Sequence, residues 1–115
     1  MIETIILNYL KSSTAFPVFM EKPVTRPDEF ILIEKTGSGY INQNMEAATL
    51  AVQSYSPTLF GCAVLNEVVK DAMRRIDINA VTNCTLNSDY NFTDTQTKEY
   101  RYQAVFDIVF YKEEG

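Results

Sequence analysis

A chain of 115 residues, 46% hydrophobic and with a net charge of −5, holds enough apolar material for one compact domain that buries about two-thirds of its unfolded surface. Its 10 lysines and arginines, against 15 acidic residues, cluster nowhere beyond Arg74 and Arg75, so the attraction that drives tight or sequence-specific nucleic-acid binding is missing. Histidine is absent, which removes the imidazole base, the Ser-His and Cys-His nucleophile pairs and the commonest metal ligand.

Residues 2–10 set Ile2, Ile5, Ile6, Tyr9 and Leu10 at helical spacing, with Glu3, Thr4 and Asn8 between them. This predicts a short amphipathic helix that needs a sheet to lie on. The stretch is too short for a membrane span, carries Glu3 where an export leader carries positive charge, and precedes no small-residue cleavage pattern. The expectation is a cytoplasmic protein with no membrane partner. Phe16-Pro-Val-Phe-Met then runs through Pro23 and Pro27, whose fixed φ and missing donors exclude a helix or a central strand and predict an extended connection.

Residues 30–35, FILIEK, read as a first strand. Residues 36–46, TGSGYINQNME, have no buried-face periodicity and are expected to form a loop, long enough to fall in the class that often carries function. Residues 47–55 alternate Leu50 and Val52 against Thr49, Ala51 and Gln53, which predicts a second strand paired with the first as an antiparallel hairpin.

The longest amphipathic stretch is 56–76. Ser56 is placed to cap the first turn, and Pro57 suits the first helical position, where its missing N–H is not needed. Leu65, Val68, Val69, Ala72, Met73 and Ile76 form an apolar stripe, with Asn66, Glu67, Lys70, Asp71, Arg74 and Arg75 opposite. Gly61 reads either as a close approach to a sheet or as a tolerated near-terminal glycine. After a turn at Asp77-Ile-Asn, residues 81–92 alternate Cys84, Leu86, Ser88, Tyr90 and Phe92 with Asn83, Thr85, Asn87, Asp89 and Asn91. A polar turn from Asp94 leads to residues 100–111, where Tyr100, Tyr102, Ala104, Phe106, Ile108 and Phe110 share one face. The opposite face is mixed, and a second subunit or the proline-rich connection is expected to cover part of it. The order α-β-β-α-β-β predicts a single α+β domain over residues 1–115, with two helices on one face of a mainly antiparallel four-stranded sheet. Its expected core includes Ile6, Leu65, Val69, Met73, Leu86, Phe106 and Ile108.

Little in the chain points to chemistry. Cys62 and Cys84 are the only cysteines, lack metal-ligand or CxxC spacing, and are expected to be buried and reduced. Asn83-Cys-Thr and Asn91-Phe-Thr match a glycosylation sequon but follow no export signal. Thr36-Gly-Ser-Gly lacks the spacing and following helix of a phosphate-binding loop. Asp89, Asp94 and Glu99 are carboxylates a hard cation would accept, although a solvated, strand-flanking set explains them as well. The expectation is no enzyme, no cofactor and no metal. Seven tyrosines and seven phenylalanines are either a well-filled core or a sign that Tyr40, Tyr55, Tyr90, Tyr100 and Tyr111 make contacts between subunits.

The order of parts resembles that of the tail terminator, or tail completion, proteins of long-tailed bacteriophages and prophages, a group of minor tail proteins. The resemblance rests on the N-terminal helix, the hairpin with a polar loop, and a helix entered through Ser56-Pro57-Thr58. It also rests on a closing hairpin in which Ser88-Asp89-Tyr90 returns into Arg101-Tyr102-Gln103-Ala104-Val105-Phe106-Asp107-Ile108. It implies a structural virion-assembly protein that forms an oligomeric ring, usually a hexamer, on the last ring of the tail tube, ends tail growth and presents a surface to the head side. The implied partners are further copies of itself, the major tail tube protein and the head–tail connector proteins. The implied locations are the host bacterial cytoplasm during assembly and then the virion tail. A ring through which DNA slides is better lined by neutral or acidic groups than by lysines. Interface expectations fall on Gly37, Tyr40, Asn42 and Asn44 in the polar loop, on Asp94 in the turn, and on Tyr55, Asp89, Tyr90, Tyr100 and Arg101. The alternative is a small cytoplasmic dimeric α+β domain that holds a small ligand in a pocket lined by Phe60, Tyr102 and Phe106.

Overall fold

In the computed structural model, whose described residues are 1–112, the N-terminal stripe becomes helix α1 (Ile2–Ser13), which buries Ile2, Ile6 and Leu10 on one face. The helix stops at Thr14, where the backbone turns extended while the residue's N–H and hydroxyl both donate to the Leu10 carbonyl. Strand β1 (Val18–Phe19) follows and pairs in parallel with β2 (Phe30–Tyr40), Val18 opposite Ile31 and Phe19 opposite Leu32. The fold class is α+β as expected, but the sheet has five strands and is mixed. The extra strand escaped the reading because it is two residues long and lies in a proline-rich stretch. An edge position needs few donors, and Pro17 still accepts a hydrogen bond from the Ile31 amide at 2.9 Å.

The hairpin of β2 and β3 (Met45–Tyr55) is longer than the pattern suggested. Thr36 to Tyr40 are strand, Tyr40 pairs with Glu46, and only residues 41–44 form the loop. A bulge between Lys35 and Gly37 lets the ladder continue through the glycines. This end of the hairpin buries little, so no alternation marks it in the sequence. Asn42 closes the tip by accepting the amides of Asn44 and Met45 at 2.8 and 2.9 Å.

Helix α2 (Leu59–Arg74) is capped by Thr58, whose hydroxyl accepts the Gly61 amide at 3.0 Å, so Ser56 and Pro57 precede the helix. The close approach at Gly61 is to this entering segment and not to the sheet: a Cβ there would lie 2.2 Å from Ser56 Oγ and 3.0 Å from Thr58 Oγ1. Strands β4 (Val81–Asn91) and β5 (Arg101–Tyr111) complete the sheet in the order β1-β2-β3-β5-β4, and every pairing but the first is antiparallel. Two further register shifts lie in β4, between Val81 and Asn83 and between Leu86 and Ser88, and the latter breaks the expected alternation of the strand. Cys84 and Leu86 share the helix side with Asp89, and Tyr90 turns to the opposite face.

Both helices pack on one face of the sheet. Ile6, Leu50, Val52, Leu65, Val69, Met73, Phe106 and Ile108 fill the space between, and the Tyr9 hydroxyl ties the helices by donating to the Ala72 carbonyl at 2.5 Å. Leu86 is not part of this core. It lies 41% exposed because β4 is the outermost strand and α2 reaches only partly over it.

Candidate functional site

The helix-free face of the sheet is organised by hydrogen bonds between side chains of adjacent strands. Gln53 on β3 lies opposite Gln103 on β5 and donates to its side-chain oxygen at 2.8 Å. Tyr55 donates its hydroxyl to Gln53 at 2.9 Å, Gln103 donates to the Tyr90 hydroxyl at 2.6 Å, and Arg101 donates to the Tyr55 hydroxyl at 3.3 Å. Both glutamines are buried, so mutual pairing is what makes them tolerable there. Farther along the face, Asp107 accepts from Thr49 and Asn87 at 3.1 and 3.0 Å.

One end of this face is closed by an aromatic group. Phe30 stacks on Tyr55 with ring centroids 4.5 Å apart, and Phe19 meets Phe30 edge-on. Residues 20–29 run beside it as a strap. Lys22 and Arg26 both form ion pairs with Glu99, and the Lys22 ammonium lies 5.6 Å from the Tyr55 ring centre. The proline-rich connection therefore helps cover the second face, one of the two covers expected. Tyr55 is only 2% exposed and is unavailable as an outward-facing interface residue.

Beside the strap lies an exposed aromatic–cationic cluster. Tyr90 and Phe92 meet edge-on at 5.8 Å, the Arg101 guanidinium sits 4.5 Å from the Phe92 ring centre, and Arg101 Nε donates to the Phe92 carbonyl at 2.7 Å. The turn that joins β4 to β5 is held by Asp94, which accepts the amides of Thr97 and Gln96. Those amides hold its carboxyl below the usual value of 3.8. Lys98 takes the left-handed conformation, φ 56°, and Tyr100 is half-buried.

The other expected interface group sits at the far end of β3, about 30 Å away at 3.3 Å per residue. Here Tyr40 is 74% exposed and Ile41 44%, with Asn42 and Asn44 in the tip and Gly37 farther down within the strand. The Lys112 ammonium lies 5.5 Å from the Tyr40 ring centre. The interface expectations thus divide into two patches at opposite ends of the sheet. Asp89 belongs to neither: it pairs with Lys70 at 3.2 Å and accepts from Asn66 at 3.4 Å on the helix side. Nor are Asp89, Asp94 and Glu99 gathered, and among the described residues no group of three or more Cys, Asp or Glu is placed to hold a metal ion.

Sequence reasoning missed a concavity, a cleft of about 680 Å³ between α2 and β4. Met73, Cys84, Leu86 and Phe106 give it an apolar lining, and Glu67, Lys70, Asp71 and Arg74 surround it. Phe106 is shared with the pocket expected for a ligand-binding domain, but Phe60 and Tyr102 do not line the cleft. Its charges are paired within the chain. Lys70 bonds Glu67 and Asp89, which raises its pKa, and Arg74 and Arg75 both engage Asp71. Burial pushes the Cys84 thiol up to about 11, and likewise the fully buried Cys62 thiol to about 11. The missed signal was the helix length: α2 covers β3 and β5 and leaves the helix side of the edge strand partly open.

Among the described residues no helix is long and apolar enough to cross a membrane. A comparison with known protein-family models finds none that matches the chain, and a comparison with curated proteins finds no matching relative.

Proposed function

We propose that this protein is a non-enzymatic structural subunit of a phage or prophage tail, which assembles as a ring on the end of the tail tube, stops its growth and offers a surface to the head-side connector. The observation that carries this reading is the pair of exposed patches at opposite ends of one rigid sheet, Tyr40 with Ile41 at the hairpin tip and Tyr90, Phe92 and Arg101 at the other end. A ring subunit needs dissimilar surfaces for its two neighbours and a further one for the structure beneath it, and Tyr and Arg are the side chains that anchor such contacts. The acidic net charge of −5 suits a passage for DNA that must not grip phosphates.

Native mass across a concentration series tests the reading. A discrete ring, or a monomer-to-ring equilibrium, supports it, together with capping of preassembled tail tubes. Replacing Tyr40 and Ile41 by serine leaves the strand ladder intact, and it should weaken docking on the tube without changing the melting temperature. Unchanged docking would remove the tip from the interface. The second reading, a dimeric ligand-binding domain, is favoured by one observation: a cleft of about 680 Å³ falls in the size range of small-molecule sites. A tight dimer at every concentration would select it.

A further inference from the structure

We infer that residues 20–29 form a lid, clasped by ion pairs to Glu99, that lifts off a separate aromatic core on the helix-free face while the rest of the domain stays folded. When it lifts, the stacked rings of Phe30 and Tyr55 join Tyr90, Phe92 and Arg101 as one exposed surface. The inference goes beyond the ring reading above and does not depend on it.

Phe30, Leu32 and Tyr55 are all buried, yet they form a cluster apart from the core under the helices, with Phe19 packed against it. No helix lies on this face, and the chain that covers them is the strap. Arg26, Pro27 and Asp28 surround Phe30 and Tyr55, and Lys22 lies over the Tyr55 ring. The cover is thin. Among the described residues no hydrogen bond between main-chain atoms ties residues 20–29 to their surroundings, and Pro23 and Pro27 have no N–H to give. The strap's own apolar side chains do not enter the core beneath it: Met20 is 42% exposed and Val24 fully so. Both ends are fixed, because Val18 and Phe30 are buried and β1 is paired to β2. A segment anchored at its ends and loosely held between them opens locally, without global unfolding.

One carboxylate holds the lid shut. Lys22 reaches one oxygen of Glu99 at 3.0 Å, and Arg26 reaches the other. The turn between β4 and β5 is built to present it: the Asp94 N–H donates to the Glu99 carbonyl at 3.1 Å, and Lys98 just before it takes the left-handed conformation. The Lys22 and Arg26 side chains are 43% and 42% exposed, and ion pairs that open to water hold weakly and are screened by salt. The Tyr55 ring that Lys22 covers also accepts a hydrogen bond from Arg101 through its hydroxyl at 3.3 Å. The lid therefore closes directly on the edge of the exposed aromatic–cationic cluster.

The test places a thiol beneath the lid. The full chain carrying Leu32→Cys is alkylated with iodoacetamide in its native state, and rates are read peptide by peptide. The fully buried Cys62 of the same molecule reports global unfolding. Adding Glu99→Gln should speed reaction of the introduced thiol about 2- to 30-fold, as loss of two exposed ion pairs predicts, and leave Cys62 unchanged. Sodium chloride at about 1 M, where the screening length falls to about 3 Å, should speed the parent likewise and the Glu99→Gln form little. Glu21→Gln, which removes an exposed strap carboxylate outside the clasp, should change nothing. If Leu32→Cys loses its native circular dichroism, Phe19→Cys on the neighbouring strand replaces it. An unchanged rate in Glu99→Gln would overturn the lid, and so would acceleration of Cys62 in step with the introduced thiol. An equal effect of Glu21→Gln would overturn the clasp and the inference with it. Because alkylation reads a single chain, none of these outcomes bears on the ring.

Discussion

One face of the sheet lies under two helices and a cluster of aliphatic side chains, and the other carries glutamines, tyrosines and an arginine joined by hydrogen bonds. The same strands build both, residue by alternate residue: Leu50 and Val52 point to the helices, and Thr49 and Gln53 point away. The covered face is held by removal of apolar area from water, which depends on filling space and not on direction. The open face is held by directional bonds, each of which leaves a partner unsatisfied when it is broken. The first device makes the domain stable. The second keeps a face without helices ordered and fixes the orientation of Tyr90 at its rim.

The strongest way to sharpen this contrast is to truncate adjacent residues that face opposite ways. Phe106→Ala, at a position only 2% exposed, should cost about 3–5 kcal/mol in chemical denaturation. Val105→Ala, on the opposite face and half-buried, should cost well under half as much; similar costs would mean that the open face is also a packed core.

Next comes the glutamine ladder. Gln53→Leu strands Gln103 and the Tyr55 hydroxyl and should cost about 1–3 kcal/mol. Adding Gln103→Leu should cost less than the sum of the single changes, and strict additivity in the double-mutant cycle would show that the row does not act as a unit.

The two cysteines sharpen the contrast between cleft and core. Alkylation of the native protein should modify Cys84, half-buried at the cleft, well before the fully buried Cys62. Both should react slowly at neutral pH, since their thiols titrate near about 11. Equal rates, read by mass spectrometry of digested peptides, would argue that α2 opens from the sheet.

Smaller still is the strap. Glu99→Gln removes the carboxylate shared by Lys22 and Arg26 and should cost about 0.2–1 kcal/mol, as exposed pairs do. The visible result should be faster proteolysis within residues 20–29, with the difference shrinking at high salt. The subtlest effect is at Asp94. Its carboxyl titrates below the usual 3.8, so its contribution is present above that value and is lost as pH falls through the lower, folded-state value. Amide signals of Gln96 and Thr97 followed by NMR should therefore hold steady above pH 3.8 and shift only below it.

Much of this architecture was legible before any coordinates. The 3.6-residue stripes of α1 and α2, the period-2 faces of β3 and β5 and the direction of both hairpins follow from where apolar side chains fall, and local periodicity reports burial wherever one side is dry and the other wet. The candidate surfaces were legible in part. Tyr40 and Tyr90 are exposed as an interface reading requires, but Tyr55 is buried under the strap, and the cleft went unseen because no single stretch of sequence contains it.

The sequence by itself determined an α+β class with two amphipathic helices and two antiparallel hairpins, an acidic net charge and the absence of histidine. Only the tertiary structure decided that Val18 and Phe19 add a parallel edge strand and that Thr36 to Tyr40 continue a ladder. It also decided that a bulge after Leu86 turns Tyr90 to the open face, and that Leu86 faces a cleft. Those outcomes depend on which strand lies beside which and how far a helix reaches, and such pairings are set by residues far apart in the chain, where local propensity carries no information.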